Sequence, residues 1–394
     1  MPCHLPGTDT RSTSLTCVTL FVSKGGDEVK ITSIEIYKAD VPLKEPFRIS
    51  IMVTTDANNI FVRINTDEGI HGIGEASPTW RLCGETQAID IAAARDLALL
   101  IVGKDPLEIE QRLGDIEGFL HHNTTIRSAF DMALYDILGK AAGLPLYRLL
   151  GGEKRELETD LTIGIGEPQY MAEKAREILG MGFHAIKVKL GTTTVEDVAR
   201  IAAIREAIGE DIPIRVDANQ GWDFNTAAAT LQALEPMGVQ YCEQPVAWWN
   251  HAAMKGVRQR TTIPIMADES VFSPQDAFIL AREECCDYFN IKLAKSGGIY
   301  NALAINSVAE SCGKPCMVGC MMESRLALTA TAHLASARSN VKFCDLDTAF
   351  FLASDPVTGG IVYDGDKVTL PDEPGIGADV DAQFLKELEK IVVE

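Results

Sequence analysis

The chain has 394 residues, of which 46% are apolar, and it carries a formal net charge of −20. This length fits two domains or one large barrel with an appendage, and the apolar fraction is enough for a sizeable core. The negative charge argues against nucleic acid and anionic membrane surfaces as partners. A small anionic substrate is not excluded, because a bound metal ion would set the local field.

Residues 1–29 are interpreted as an N-terminal extension that either is disordered or results from a wrongly assigned translation start. Their apolar run SLTCVTLFV has no basic flank before it and no convincing cleavage site after it, which disfavours a signal peptide. No run of 18 apolar residues occurs, so neither a membrane-spanning helix nor a membrane partner is expected. The 10 cysteines form no C-x-x-C pair, which favours buried free thiols in a reducing compartment. A cytoplasmic location follows.

Residues 30–152 predict an α+β domain. VKITSIEIYKADVPL alternates apolar and polar residues as a strand does, and NNIFVRINTDEGIHGIGEAS predicts two more strands joined by a turn. Three stretches with helical spacing follow, and strands followed by helices are typical of a separate domain. The segments 43–58 and 76–84 are interpreted as long loops, which are either lids or plain surface loops.

Residues 153–348 predict a parallel (β/α) barrel. Short apolar or β-branched runs end in charged residues and alternate with stretches of helical spacing such as VEDVARIAAIREAI. LTIG is interpreted as the first strand, and KPCMVGC and NVKFCDLD as the seventh and eighth. Catalytic groups of such barrels lie at the carboxyl ends of the strands. One face should therefore carry the charged residues that recur at a nearly constant interval: Lys189, Asp217, Glu243, Asp268 and Lys292.

Three of these residues are acids on successive strands, and together they predict a hard-oxygen site suited to Mg²⁺ rather than zinc. A lone acid at a strand end is usually a helix cap or an ion-pair partner, but three acids flanked by two lysines favour a metal site. Asn219 and Glu269 neighbour these acids and are expected to support them. A lysine beside a divalent cation in a partly dry pocket has a depressed pKa and can act as a base.

Taken together, these stretches resemble the enolase superfamily, in its mandelate racemase/muconate lactonizing subgroup. The resemblance is carried by Lys187-Val188-Lys189 after the second strand, the acids after strands three to five, and a lysine after strand six. It covers roughly residues 30–385. It implies an enolase-type (β/α) barrel with an N-terminal α+β capping domain, to which residues 349–394 return. It also implies one Mg²⁺ per subunit, a homo-oligomer, and Lys292 rather than Lys295 as the base after strand six.

The motif Asp345-Leu346-Asp347 discriminates within this superfamily. On an ideal strand the two acids face one side, so both could hold one cation, although two helix-capping acids are an alternative interpretation. A D-x-D motif after strand eight resembles the dipeptide epimerases, where it holds the free α-amino group of the dipeptide. Muconate-type cycloisomerases and o-succinylbenzoate synthases, the alternative within the superfamily, bind no such amine.

The resemblance thus implies an isomerase that inverts the α-carbon of the C-terminal residue of a dipeptide through a metal-stabilised enolate. Lys189 and Lys292 would be the bases on opposite faces, and Lys187 would help to neutralise the enolate. Thr162 and Cys320 would contact the substrate. An alternative of another class is a barrel that has lost its chemistry and serves as a binding or structural protein, which the intact set of acids and lysines disfavours.

The segment 43–58 also bears on specificity. In L-Ala-D/L-Glu epimerases the corresponding loop supplies an arginine that pairs with the glutamate side chain. Aligned on Pro46-Phe47, the matching residue here is Met52, which cannot make that pair. Ile49, Ile51, Met52 and Val53 make this part of the loop apolar, which favours neutral dipeptides. Arg48 or Arg81 would restore acidic recognition if either reached inward, and Asp56 would favour a basic side chain.

Overall fold

A computed structural model describes residues 29–394, so the interpretation of residues 1–28 lies outside the described range. The N-terminal part contains an antiparallel sheet followed by helices. Its elements are β1 (Ile31–Ile49), β2 (Met52–Thr66), β3 (His71–Ala76), α1 (Gln87–Ile101), α2 (Ile109–Phe119), α3 (Thr124–Ala142) and α4 (Leu146–Leu149).

The segment 43–58 is not the long loop that the sequence predicted. It is the outer half of the hairpin formed by β1 and β2, whose pairing is interrupted between Pro42 and Phe47 and then continues to Ile49. Pro42 and Pro46, with charged residues between them, look like loop residues in the sequence. A bulge tolerates proline because its extra residues lie outside the ladder of hydrogen bonds.

The tip of this hairpin reaches the barrel. Ser50 lies in the turn, and its Oγ donates to the carbonyl oxygens of Ala218 and Asn219 at 2.9 and 3.0 Å. Residues 77–84 form turns, as expected, and lie beside the same opening. The N-terminal domain therefore supplies part of the rim of the barrel mouth.

The second part is a closed barrel of eight parallel strands, which confirms the predicted fold class. Strands pair with their neighbours in chain order, and a bridge between Thr159 and Cys344 joins the last strand to the first. A short strand, β4 (Leu157–Glu158), precedes the barrel. The barrel strands are β5 (Leu161–Ile163), β6 (Ile186–Lys189), β7 (Ile214–Asp217), β8 (Val239–Glu243), β9 (Ile265–Ala267), β10 (Tyr288–Ile291), β11 (Cys316–Val318) and β12 (Val341–Cys344).

Helices cover the outside of the barrel. Several begin at side chains that cap the first turn, such as Thr193, Asp223 and Ser273, the last in a reciprocal capping box with Asp276. The eighth strand is followed by a 3₁₀ turn instead of a helix. The helices are α5 (Pro168–Gly180), α6 (Thr194–Ile208), α7 (Phe224–Leu234), α8 (His251–Arg258), α9 (Pro274–Arg282), α10 (Leu293–Ser296), α11 (Ile299–Ser311) and α12 (Arg325–Ala337).

The C-terminal segment runs back to the N-terminal sheet. Its last strand pairs antiparallel with β1, so the first sheet has four strands rather than three. Among residues 29–394, no helix combines the length and the apolar composition needed to cross a bilayer. The elements of this segment are β13 (Val357–Gly359), β14 (Val362–Asp364), β15 (Lys367–Thr369), β16 (Ala378–Val380), α13 (Ala382–Glu387) and β17 (Glu389–Val393).

Buried carboxylates of the N-terminal domain bind the first turns of two barrel helices. Glu75 in β3 accepts hydrogen bonds from Ser324 N at 2.9 Å, Ser324 Oγ at 2.7 Å and Ala327 N at 3.1 Å, at the start of α12. Asp131 in α3 accepts from Ile299 N at 2.6 Å and Tyr300 N at 3.2 Å, at the start of α11. Free N–H groups and the helix dipole favour an anion there, so these contacts join the domains.

We expect Glu75→Ala to lower the free energy of unfolding by about 2–4 kcal/mol, because several buried donors lose their acceptor. Glu75→Gln keeps an acceptor and should cost less. Denaturant unfolding of both variants measures the difference, with Glu68→Ala, at an exposed carboxylate of the same domain, as the control. Equal stability of Glu75→Ala and the unaltered protein would contradict this role.

Candidate active site

Three carboxylates converge at the ends of the third, fourth and fifth barrel strands. Asp217 ends β7, Glu243 ends β8, and Asp268 directly follows β9. Asp217 and Glu243 are register partners, so the parallel pairing itself brings them together. All three are fully buried, and one oxygen of each lies within 4.8 Å of the others. We call these residues the acidic triad.

The two lysines predicted as bases lie on opposite sides of the barrel. Lys189 ends the second barrel strand and Lys292 follows the sixth, so three strands separate them in either direction. Lys189 Nζ lies 2.6 Å from Asp217 Oδ2, and Lys292 Nζ lies 2.8 Å from Asp268 Oδ2. Each ammonium group therefore touches one member of the acidic triad.

Lys187 connects the triad to the D-x-D motif. Its side chain is fully buried, and its Nζ lies 2.6 Å from Asp345 Oδ2 and 2.7 Å from Glu243 Oε2. Burial alone would lower the pKa of Lys187, but the surrounding carboxylates, first Asp345 and then Glu243, hold it well above its usual value. Lys187 is therefore a fixed positive charge beneath the site.

The acidic triad fits a hard divalent cation. Burial and then the neighbouring Asp217 raise the pKa of Glu243 to about 8, because three carboxylates share one dry space. Glu243 Oε2 and Asp268 Oδ1 face the ammonium groups of Lys187 and Lys295 at 2.7 and 2.5 Å, so part of their charge is balanced within the fold. Three buried carboxylates so close together still repel one another, and a dication bound by oxygen ligands offsets this repulsion. Asn219 N donates to Asp217 Oδ1 at 2.8 Å and so orients that ligand.

The D-x-D pair lies just beyond the eighth strand and faces the first. Asp347 Oδ2 accepts from Thr162 N at 2.7 Å, and Asp345 Oδ2 accepts from Lys187 Nζ. The 3₁₀ turn after Asp347 receives no side-chain cap, so the helix-capping interpretation is wrong. Burial, followed by Asp345 and Asp160, raises the pKa of Asp347 well above its usual value. A cationic group at this end of the site would relieve that repulsion.

A cavity that is partly open to solvent lies between the hairpin tip and the barrel mouth. Its floor is charged and includes Lys189, Lys292, Asp345 and Asp347, while Lys187 and the acidic triad lie below. Cys320 and Thr162 also border it. The walls are mostly apolar and come from the hairpin, from the turns after β3 and from the loops after the last barrel strands: Phe47, Ile49, Met52, Leu82, Met321, Met322 and Phe351.

Neither of the arginines considered for acidic recognition borders this cavity. Arg48 and Arg81 are exposed, and the guanidinium of Arg81 lies over the ring of Trp80 at 5.2 Å. Trp248 and Trp249, which follow the fourth barrel strand, are 55% and 65% exposed and do not border the cavity. The cations among the lining residues are therefore the two lysines.

The sequence analysis did not identify Asn290 as part of the site, and it considered Lys295 only as the base that was not chosen. Asn290 Nδ2 donates to Glu243 Oε1 at 2.6 Å, and its position two residues before Lys292 on the same strand face could have indicated this contact. Lys295 Nζ lies 2.5 Å from Asp268 Oδ1 and donates to Asn290 O at 3.0 Å. That contact depends on the short helix α10, which residue spacing does not specify. The eight cysteines of residues 29–394 are free thiols, and six are buried.

We expect Mg²⁺ to stabilise the protein more at pH 8 than at pH 6. The pKa of Glu243 is raised from 4.5 to about 8, so its carboxyl stays protonated at pH 6 in the metal-free folded protein. This group's contribution to the stability of the metal-free folded protein therefore decreases as pH rises from 4.5 to about 8. Mg²⁺ must displace that proton, which weakens binding roughly tenfold per pH unit below 8. Melting temperatures with and without Mg²⁺, for the unaltered protein and Glu243→Gln, measure this. Equal shifts at both pH values would contradict the expectation.

Comparison with known proteins agrees with this geometry. Residues 31–151 match the family model described as "Mandelate racemase / muconate lactonizing enzyme, N-terminal domain", and residues 170–384 match "Enolase C-terminal domain-like". The D-Ala-D/L-Ala epimerase of Cytophaga hutchinsonii is 44% identical over 365 residues, which are 92% of this chain and 99% of that protein. The L-Ala-D/L-Glu epimerase of Clostridium acetobutylicum is 40% identical over 350 residues, 88% of this chain and 98% of that protein.

A solved structure is also similar along nearly the whole chain. The crystal structure of the Cytophaga hutchinsonii dipeptide epimerase, complexed with Mg and the dipeptide D-Ala-L-Val, has a TM-score of 0.92 to this protein at 44% identity. The match covers 93% of this chain and 100% of that one. On these matches and on the geometry of its barrel, the chain belongs to the enolase superfamily, in the mandelate racemase/muconate lactonizing subgroup.

Proposed function

We propose that this protein is a Mg²⁺-dependent dipeptide epimerase that inverts the α-carbon of the C-terminal residue of its substrate. The observation that carries the proposal is the lining of one cavity by two lysines from opposite sides of the barrel and by the D-x-D pair at one end. The relatives named as dipeptide epimerases support it.

The arrangement of the strands suits a dipeptide lying across the barrel mouth. The acidic triad belongs to strands three to five, whereas the D-x-D pair follows strand eight. A dipeptide carries a carboxylate at one end and an ammonium group at the other. Its carboxylate would bind over the triad through the cation, and its ammonium group would donate charge-assisted hydrogen bonds to Asp345 and Asp347. The α-carbon of its second residue would then lie between Lys189 and Lys292.

The chemistry follows from this placement. Mg²⁺, when bound, would supply positive charge beside the substrate carboxylate, where negative charge develops as the α-proton leaves. Lys189 Nζ would remove the proton from one face and Lys292 Nζ would return a proton to the other, with the roles exchanged for the opposite configuration. Lys187, held positive beneath the site, would add to the stabilisation. Because the bases act from opposite sides, the α-carbon is inverted.

Proton NMR in D₂O with a library of L,L-dipeptides tests the proposal. A dipeptide epimerase exchanges the α-proton of the second residue and produces the second diastereomer. A muconate-type cycloisomerase or an o-succinylbenzoate synthase would leave every dipeptide unchanged, and so would a barrel that only binds. Absence of exchange across the library, with Mg²⁺ bound as judged by thermal stabilisation, would refute the proposal.

Lys189→Ala and Lys292→Ala should each lower the rate of epimerisation by about 10²–10⁴-fold, because each removes the acid–base group of one face. Either variant can still exchange the proton of one diastereomer through the remaining lysine. Circular dichroism checks the fold, and Lys367→Ala, at an exposed lysine of β15, is the control. Epimerisation by either variant at nearly the unaltered rate would show that the two-base assignment is wrong.

Asp345→Asn and Asp347→Asn should weaken dipeptide binding by roughly tenfold to a hundredfold while affecting Mg²⁺ binding much less. A hydrogen bond to a charged group contributes about 1.5–3 kcal/mol, and the amide keeps the shape but loses the charge. Calorimetric titration with the dipeptide and with Mg²⁺ separates the two effects. Asp364→Asn, at an exposed acid of β14, is the matched control. Unchanged dipeptide affinity in both variants would exclude this role.

We expect a higher kcat/KM for L-Ala-L-Leu or L-Ala-L-Phe than for L-Ala-L-Glu. The cavity walls are apolar, Met52 is among them, and Arg48 and Arg81 lie outside. An apolar wall discriminates against a charged side chain, which would lose its hydration without gaining a partner. Met52→Arg should shift the preference towards L-Ala-L-Glu. A clear preference of the unaltered protein for L-Ala-L-Glu would point to Arg48 or Arg81 as the missing cation.

A further inference from the structure

The cavity contains a second group of buried side chains whose ligand chemistry differs from that of the acidic triad. We propose that Cys320, Asp345 and Asp347 form a binding site for a thiophilic divalent cation such as Zn²⁺, which competes there with the ammonium group of the substrate. The competition rests on the proposed function, whereas the binding of the metal does not.

The geometry of the three side chains suits one cation. One ligand atom of each lies within 4.8 Å of the other two, and all three residues are buried. Cys320 follows the seventh strand and the two acids follow the eighth, so the parallel pairing of β11 and β12 brings them together. Ligand atoms of a tetrahedral zinc site lie about 3.5 Å apart, so small side-chain rotations would complete the site.

An unpaired carboxylate oxygen points independently to a ligand. Asp345 is 4% exposed, borders the cavity, and has no hydrogen-bond partner at Oδ1 within the described part of the chain. Lys187 holds the other oxygen of this carboxylate at 2.6 Å, which fixes its orientation. Cys320 Sγ donates to the carbonyl oxygen of Asp345 at 3.1 Å, so the sulfur already lies beside that residue.

The charges nearby favour a cation over a neutral group. Asp347 has Thr162 N as its hydrogen-bond donor, and the negative charges of Asp345 and Asp160 act on it. Burial, followed by Asp345 and Asp347, raises the pKa of the Cys320 thiol well above its usual value. Coordination would form metal–sulfur and metal–oxygen bonds and would release the protons of the thiol and of the Asp347 carboxyl to solvent, so that a dication faces a thiolate and two carboxylates.

Sulfur distinguishes this site from the acidic triad. Mg²⁺ prefers oxygen ligands and would remain at the triad, whereas a thiolate selects Zn²⁺ or Cd²⁺. Binding an ammonium group requires only oxygen acceptors, which Asp345 and Asp347 already supply. The thiol therefore adds an affinity for soft cations that binding of the ammonium group does not require, and Zn²⁺ in this position would occupy the place of the substrate amine.

Titration of the full-length protein with Cd²⁺, at saturating Mg²⁺, tests the site directly. A thiolate bound to Cd²⁺ produces a charge-transfer absorption in the near ultraviolet, which oxygen ligands do not. We expect one equivalent of Cd²⁺ to produce this absorption in the unaltered protein and in Cys312→Ser, whose thiol is exposed and outside the cavity. Cys320→Ser should lose it, and Asp345→Asn should weaken the binding at least about tenfold.

The same absorption in Cys320→Ser as in the unaltered protein, or none in either, would overturn the site. Because this titration contains no dipeptide, its result is independent of the α-proton exchange assay that tests the proposed function. With a dipeptide that is turned over, Zn²⁺ should raise KM at constant kcat, and Cys320→Ser should need at least about tenfold more Zn²⁺ for the same effect. Inhibition through kcat alone, or equal inhibition of Cys320→Ser, would refute the competition.

Discussion

The site depends on one buried ammonium group, that of Lys187. It lies between Glu243 of the acidic triad and Asp345 of the D-x-D pair, at 2.7 and 2.6 Å, and so sets the spacing between the two acidic ends of the cavity. Without it, carboxylates from strands four and eight would repel each other in a space that excludes water. The second lysine of the stretch Lys187-Val188-Lys189 lies two residues further along the same strand and borders the cavity. One strand thus supplies both a structural charge and a candidate base.

The chemistry and the shape of the cavity come from different domains. Charged residues on its floor belong to barrel strands, whereas Phe47, Ile49 and Met52 belong to the hairpin of the N-terminal domain. The hairpin is held over the mouth by Ser50, and the helices behind the mouth are joined to the N-terminal domain by Glu75 and Asp131. Substitutions in the hairpin can therefore alter which side chain is accepted while the strand ends remain in place, which is how barrels support different substrates.

The sequence predicted most of the barrel, because the strand–helix repeat places a charged residue at the end of successive strands. Parallel pairing then brings these residues to one face of the barrel. It did not predict the hairpin correctly, since prolines at a bulge and charged residues on its outer half have the composition of a loop. It also could not show that Arg48 and Arg81 lie outside the cavity. The direction of Arg48 depends on a hairpin register that the bulge shifts, and Arg81 lies in the turns after β3, whose course the sequence does not specify. Lys295 was undervalued because its contact with Asp268 depends on the turn of α10.

The acidic triad, the D-x-D pair and their lysines all lie at the carboxyl end of the barrel, and the residues below them explain why. Below the acids the interior is filled by Tyr241, Met266 and Met317, a dry layer that would not tolerate an unpaired charge. Arg215 is the register partner of Tyr241, and it forms an ion pair with Asp160 at 2.8 Å while its guanidinium lies over the ring of Tyr241 at 5.7 Å. Asp160 in turn acts on Asp347 from below. Negative charge therefore accumulates towards the mouth and is balanced only in part by lysines, which is the condition under which the proposed metal ion and substrate amine would both be attracted there.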